Sequence, residues 1–279
     1  MLLAQVCFAL MNVSARLAGR DLPWPEVVAS RFLVGALLAT LVASIRGTSL
    51  RVTDRRASWA RAIFGTLSAL CVFYAITSPR IHLGDAAMLG ATAPIFVALL
   101  APRLLGERPS RSVGIALGLA FVGVILVLEP QFRSAAGVAA VATLGALFYA
   151  FVILLLRRMG SAESGEAIVL HFSLVGFTTT LLLSLPVWRT PTPGQAGWLA
   201  LTGLTGGLAQ LAMTRAYALD RATRISALTY AGIVFTYLLA VPIFGERPGP
   251  GGALGATCVM AAGLILARSA RRQSTGGQT

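Results

Sequence analysis

The chain has 279 residues, 56% hydrophobic and only 12% charged, with a mean hydropathy of +0.79. A water-soluble domain carries about 25% charged residues, so there is too little polar surface here to coat a globule, and the chain reads as a polytopic membrane protein. Its net charge of +13 comes from 23 arginines and no lysine; they lie mainly in short connections, where membrane topology accounts for them, so nucleic acid is set aside as a partner and the lipid bilayer taken instead.

A helix needs about 20 apolar residues to cross the hydrocarbon core. Ten such spans are predicted, near 2–19, 26–45, 58–78, 84–104 and 111–128, then 135–156, 166–187, 195–218, 223–244 and 250–268. The first starts almost at Met1 with no basic segment before it, so it is expected to be a span and not a cleaved signal. No connection is long enough for a soluble domain. Cys7, Cys71 and Cys258 fall inside spans with no ligand spacing and read as small buried hydrophobes.

The connections set the orientation. With the N-terminus inside, inner connections take Arg46, Arg51, Arg55, Arg56, Arg103, Arg108, Arg111, Arg157, Arg158, Arg221, Arg224, Arg268, Arg271 and Arg272. Outer ones take Arg16, Arg20, Arg80, Arg133, Arg189 and Arg247. Both termini are therefore predicted to be cytoplasmic. Absent lysine and abundant Ala and Gly suggest a bacterial chain, hence an inner membrane.

Gly106-Glu107-Arg108-Pro109 recurs 139 residues later as Gly245-Glu246-Arg247-Pro248, with five spans between the copies. An odd number of crossings reverses the chain, so the halves are expected to be inverted repeats, an arrangement typical of transporters. Phe8 and Phe148, Glu26 and Glu166, Arg31 and His171, and Phe32 and Phe172 pair at a spacing of 140, and Trp59 and Trp198 at 139. The expected division is a first half over 1–130, a second over 134–268 and a cytoplasmic tail over 269–279.

Certain residues carry a family resemblance. They are Arg61-Ala-Ile-Phe-Gly65 leading into Phe73-Tyr74-Ala75, Asp85-Ala86-Ala87, Pro94 twelve residues before the first Gly-Glu-Arg-Pro, and Gly114 and Gly123. In the second half they are Ala216-Tyr217-Ala218-Leu219, Tyr230 and the second Gly-Glu-Arg-Pro. Together they resemble the EamA-like family of the drug/metabolite transporter superfamily, and most of all its exporters of aromatic and other apolar amino acids. The resemblance implies an all-α integral membrane fold of ten helices in two inverted five-helix repeats. It further implies a central cavity lined by spans 1, 3, 4, 6, 8 and 9, and transport of small metabolites without ATP or any cofactor.

The polar residues segregate in the same way. All five tyrosines, and the in-span carboxamides Gln5, Asn12 and Gln210, fall in those six spans. Asn12, Tyr74, Tyr149, Gln210 and Tyr230 are the candidate substrate-binding residues: amides for a zwitterion's charged groups, rings and hydroxyls for its body. Each can instead form a helix-to-helix contact. Tyr217 and Tyr237, nearer span ends, read as interfacial belt residues. Pro94, in mid-span, should bend its helix and is the candidate hinge.

Arg31 and His171 read as structural, the arginine reaching the interface or carbonyls at a helix end. Glu107 and Glu246 read as caps or ion pairs at helix junctions. Three glycine pairs, Gly114/Gly118, Gly203/Gly207 and Gly251/Gly255, have the spacing of close helix packing.

Absences narrow the function. Without lysine there is no phosphate-loop ATPase motif, and span 1 has no carboxylate for proton exchange, so gradient-driven flux is expected over proton-coupled antiport. Lipophilic drugs or cations are the alternative cargo, and they would favour a carboxylate in the cavity. Phosphorylated cargo would want convergent basic groups, which the sequence does not display. An intramembrane enzyme would need a nucleophile–base pair or metal ligands at depth, and no such motif occurs.

Overall fold

The computed structural model describes residues 1–105, 111–128, 135–159, 163–219, 228–246 and 249–275. Among them every regular element is helical. The first half holds α1 (Leu2–Ala18), α2 (Trp24–Arg46), α3 (Arg55–Thr77), α4 (Leu83–Gly90), α5 (Ala93–Leu105) and α6 (Arg111–Leu128). The second holds α7 (Ala136–Met159), α8 (Gly165–Ser184), α9 (Pro193–Leu219), α10 (Ala231–Phe244) and α11 (Pro250–Thr275). Single 3-10 turns, Leu185–Val187 and Leu228–Tyr230, follow α8 and precede α10.

Local chemistry explains the helix ends. Asp54 and Ser164 cap α3 and α8 by accepting from the N–H groups of Ala57 and Ala167, at 3.0 and 3.1 Å, which satisfies donors a helix start leaves free. Gly47 and Gly245 end α2 and α10 at φ of +64° and +68°, a left-handed conformation that glycine adopts without strain. The glycine of the second Gly-Glu-Arg-Pro copy is thus a helix stop. Glu107 and its neighbours in the first copy lie outside the described residues.

The fourth span differs from expectation. Instead of one bent helix it is two, α4 and α5, with Ala91 and Thr92 between them. Pro94 explains the break. It has no N–H to give to Gly90, four residues back, and its ring crowds that carbonyl. Helix α4 ends at Gly90, and Pro94 is the second residue of α5, where the first turn tolerates it.

Helix α2 packs on α8 and α9, α3 on α7 and α8, α1 on α9 and α10, α5 on α7, and α6 on α11. Exchanging α1 with α7, α2 with α8, α3 with α9, α4–α5 with α10 and α6 with α11 returns the same pairs. At the centre, Phe32 and Phe172 meet edge to face, centroids 5.0 Å apart. Glu26, at the start of α2, accepts the backbone N–H of Arg189 just beyond α8 at 3.2 Å, while Glu166, at the start of α8, pairs with Arg46 at the end of α2 at 3.0 Å. Helices α2 and α8 therefore run antiparallel, tied in equivalent ways at both ends.

Packing is close where glycines meet neighbours. The Phe32 ring occupies the space a side chain at Gly176 would fill, and Gly207 lies against the Gly35 backbone, as expected of Gly203/Gly207. Gly114 and Gly118 differ from expectation: both face open space, so their spacing reports no helix seam.

The distribution of polarity is reversed relative to a protein in water. Leu37, Ile115, Phe121, Leu182 and Leu238 are 62–64% exposed. Ser68, Thr66, Thr202, Gln210, Thr214 and Thr236 are buried. Such an apolar exterior suits lipid and would be an aggregation surface in water. By length and composition alone, four helices among the described residues are long and apolar enough to cross a membrane: those beginning at Trp24, Arg55, Ala136 and Gly165. The other apolar stretches, among them Leu2–Ala18 and Leu83–Val97, are shorter.

Candidate functional site

A cavity of about 180 Å³ lies between the halves. Its wall comes from α1, α3, α4, α5, α7, α10 and the turn before α10, with one residue each from α2 (Arg31), α8 (Phe172) and α9 (Gln210). Among the described residues neither α6 nor α11 contributes. The break between α4 and α5 opens on this space through Gly90, Ala91, Ala93 and Pro94. Most of the wall is apolar or aromatic, including Phe8, Val72, Phe73, Ile76 and Ile233.

Arg31 and Arg61 dominate the polar part. Each sits about two turns inside its helix, and they are 6% and 1% exposed. Arg31 Nη2 donates to Gln210 Oε1 at 3.3 Å, and its Nε has no partner. Arg61 Nε and Nη1 have none either. Both guanidiniums lie against the Phe172 ring, Arg61 at 4.0 Å and Arg31 at 5.3 Å from its centroid. Arg31 also faces Phe32 at 4.7 Å. Ring faces attract cations but do not neutralise them. Two like charges within roughly 10 Å repel by about 2 kcal/mol at an effective dielectric of 20. Among the described residues no aspartate or glutamate lines the cavity.

Glycines make room for this arrangement. A side chain at Gly65 would come within 2.7 Å of both Arg61 Nη1 and the Phe172 ring, and one at Gly206 within 3.1 Å of Arg31 Cγ. Gly65 follows Arg61 by four residues, so the two share a helix face.

Several predicted residues gather here. Asn12, Tyr149, Gln210 and Pro94 line the cavity. The Tyr149 hydroxyl donates to the Met213 sulfur at 2.6 Å, and the buried Nε2 of Gln210 has no partner. Tyr74 and Tyr230 are not brought in. Tyr74 is 36% exposed, its ring edge-on to Trp24 at 6.0 Å, on a face of α3 turned away from the cavity. Tyr230 packs its ring on Gly263 of α11, in a seam with Met88 and Ile233. His171 is outside the lining and meets Trp59 edge to face at 4.9 Å. Tyr217 and Tyr237 differ from the belt expectation: Tyr217 is buried beside Met213, and the Tyr237 hydroxyl donates to Asp85 at 2.5 Å.

Arg31 is not at an interface but inside, because the seam of α2 with α8 and α9 turns it inward. Arg61 belongs to neither set of connection arginines; its signal in the sequence is an arginine in an apolar span, four residues before a glycine. Basic groups that the sequence does not display as convergent thus share one cavity wall.

Glu246 serves a junction, though not that of the following helix. Its Oε1 pairs with Arg16 at 2.9 Å, and its Oε2 accepts the N–H of Leu83, the first residue of α4, at 2.6 Å. Arg16 also donates to the carbonyls of Ile76 and Ile81, at 3.2 and 2.8 Å. One end of the cavity is thus bound across α1, α3, α4 and α10. Among the described residues no three His, Cys, Asp or Glu side chains gather to hold a metal ion.

The EamA-like transporter family matches the chain twice, over residues 1–129 and 137–268. The pseudopaline exporter of Pseudomonas aeruginosa is 29% identical, over 96% of this chain and 94% of its own. The riboflavin transporter of Vibrio cholerae is 24% identical (89% and 85%), and the S-adenosylmethionine uptake transporter of Rickettsia prowazekii 22% (97% and 92%). A solved crystal structure superimposes with a TM-score of 0.73 at 18% identity, covering 98% of this chain and 97% of the other, which shows a shared fold. Family and relatives together make this chain a small-molecule transporter of the membrane and not an enzyme.

Proposed function

This chain belongs to the EamA-like transporter family, and from that premise we propose that it exports small organic metabolites across the bacterial inner membrane by alternating access, without hydrolysing ATP. The two halves, 1–130 and 134–268, act as inverted repeats, with both termini cytoplasmic. The observation that carries the reading is the cavity between them, apolar for most of its wall and lined from both halves. The antiparallel α2–α8 pair with equivalent ties at its ends supports the inversion.

The cargo has an apolar or aromatic body and polar groups that meet Asn12, Tyr149 and Gln210, with Pro94 at the hinge between α4 and α5. Aromatic and other apolar amino acids fit that description. Lipophilic cations fit poorly, since among the described residues the lining carries two arginines and no carboxylate. Export follows the direction named for the pseudopaline exporter. With no acid among the described residues of the wall to exchange a proton, flux follows the substrate gradient.

The test is efflux of radiolabelled Phe, Trp, Thr and Met from proteoliposomes, with and without an imposed pH gradient. Flux above empty vesicles with little pH dependence is expected. No flux of any of the four would remove the amino-acid reading, and a steep dependence on the pH gradient would overturn the uncoupled mechanism.

A further inference from the structure

We propose that Arg31 and Arg61 form an anion site in the cavity wall that selects cargo bearing a carboxylate beside an apolar or aromatic body. The inference rests on the cavity being the transport site and names the substrate class it takes.

Three observations carry it. First, both guanidiniums are buried and keep unpartnered donors: Nε of Arg31, and Nε and Nη1 of Arg61. Such groups are costly to hold without partners. A guanidinium stays charged, and its planar fork matches a carboxylate. Second, among the described residues no carboxylate lines the cavity to neutralise either one, and three ion pairs there use Arg16, Arg46 and His82. Third, both cations touch the same Phe172 ring. Both side chains line the same cavity, and the ring offers an apolar surface beside them. Gln210 holds Arg31 in place through its Oε1 and leaves its own amide N–H groups for the same ligand.

The enclosed setting strengthens the choice. Charge interactions there are less screened than on a surface. A cationic cargo meets like charge, and a neutral one leaves the donors unpaired. Discrimination of this kind is large when buried polar groups must be satisfied by the ligand.

The experiment compares three probes of one shape on the detergent-solubilised full chain by calorimetry. They are N-acetylphenylalanine (anion), N-acetylphenylalaninamide (neutral) and phenylalaninamide (cation). The wild type should bind the anion at least tenfold more tightly than the neutral amide, and the cation least. Arg61→Gln and Arg31→Gln should each cut the anion-to-amide ratio at least fivefold while amide binding persists, which shows that the variant is folded. Arg61→Lys should recover part of the ratio. Equal binding of the three probes by wild type, or an unchanged ratio in both glutamine variants, overturns the site without needing any variant to fold well. Proteoliposome flux separates the two proposals. Anion-selective binding with no flux refutes transport through the cavity and leaves the site standing. Equal flux of anion and amide refutes the site and leaves transport standing.

Discussion

Replacing Glu246 tests how one end of the bundle is closed. Its Oε1 is 2.9 Å from Arg16, with the two side chains only 12% and 11% exposed. Removing one partner of a buried pair costs about 3–5 kcal/mol because the other charge is stranded. Arg16 keeps the Ile76 and Ile81 carbonyls, which places the loss at the lower end, about 3 kcal/mol. Glu246→Ala also takes the acceptor from the Leu83 N–H, and a lost helix-start acceptor adds about 1 kcal/mol. At roughly 2–4 °C per kcal/mol for a chain of this order of size, Glu246→Ala should melt about 8–16 °C lower in nanodiscs. Glu246→Gln, which retains an acceptor for Leu83, should fall less. Arg16→Met, alone and with Glu246→Gln, closes the double-mutant cycle, with an expected coupling of about 1.5–3 kcal/mol. Single losses under about 1 kcal/mol with coupling below about 0.5 kcal/mol would refute the view that this pair holds α1 to the end of α10.

Gly176→Ala puts a methyl group where the Phe32 ring lies and should cost about 1–3 kcal/mol by thermal unfolding; Gly118→Ala, facing open space, should cost nothing and gain up to about 1 kcal/mol of helix propensity. In flux assays Tyr149→Ala should raise KM several-fold, whereas Tyr74→Ala should leave it within about twofold because its ring lies outside the cavity. Pro94→Ala removes the barrier to joining α4 and α5 and should lower the maximal export rate several-fold with a smaller change in KM.

The apolar helical stretches and their order were legible because hydrophobicity and length are local properties. Among the described residues, helices begin and end within a few residues of the expected bounds apart from α11, which continues to Thr275. The break in span 4 was half legible. Pro94 announced a disturbance, but whether a proline bends a helix or divides it depends on what surrounds Gly90 and Ala91, and a sequence does not display that. Tyrosines were harder. Tyr74 and Tyr149 are the same residue in spans of the same kind, yet one meets Trp24 outside and the other the cavity. Rotation of a helix about its axis is set by tertiary seams such as α3 on α7, and an apolar span in lipid carries little periodicity to reveal it. The arginines misled for a related reason. An arginine near a span end is ordinarily explained by reaching for the interface, whereas Arg31 is turned inward by the α2–α8–α9 seam.

The placement of acids sharpens the meaning of those two arginines. Asp54 caps the start of α3, and Glu26, Asp85 and Glu166 stand in the first turns of α2, α4 and α8, where the helix dipole and free N–H groups favour negative charge. Glu163 accepts the N–H groups of Thr53 and Asp54, at 2.7 and 2.6 Å, and Glu246 accepts that of Leu83. Each of these carboxylates holds a connection or a helix start at an end of the bundle. The basic residues divide differently: many lie in connections, but Arg31 and Arg61 are enclosed, and none of these six acids lines the cavity with them. A chain that needed the two cations only for packing could replace them with apolar residues of similar volume at no loss of stability. Their presence beside Phe172, with room left for them by Gly65 and Gly206, is what a site for negative charge requires.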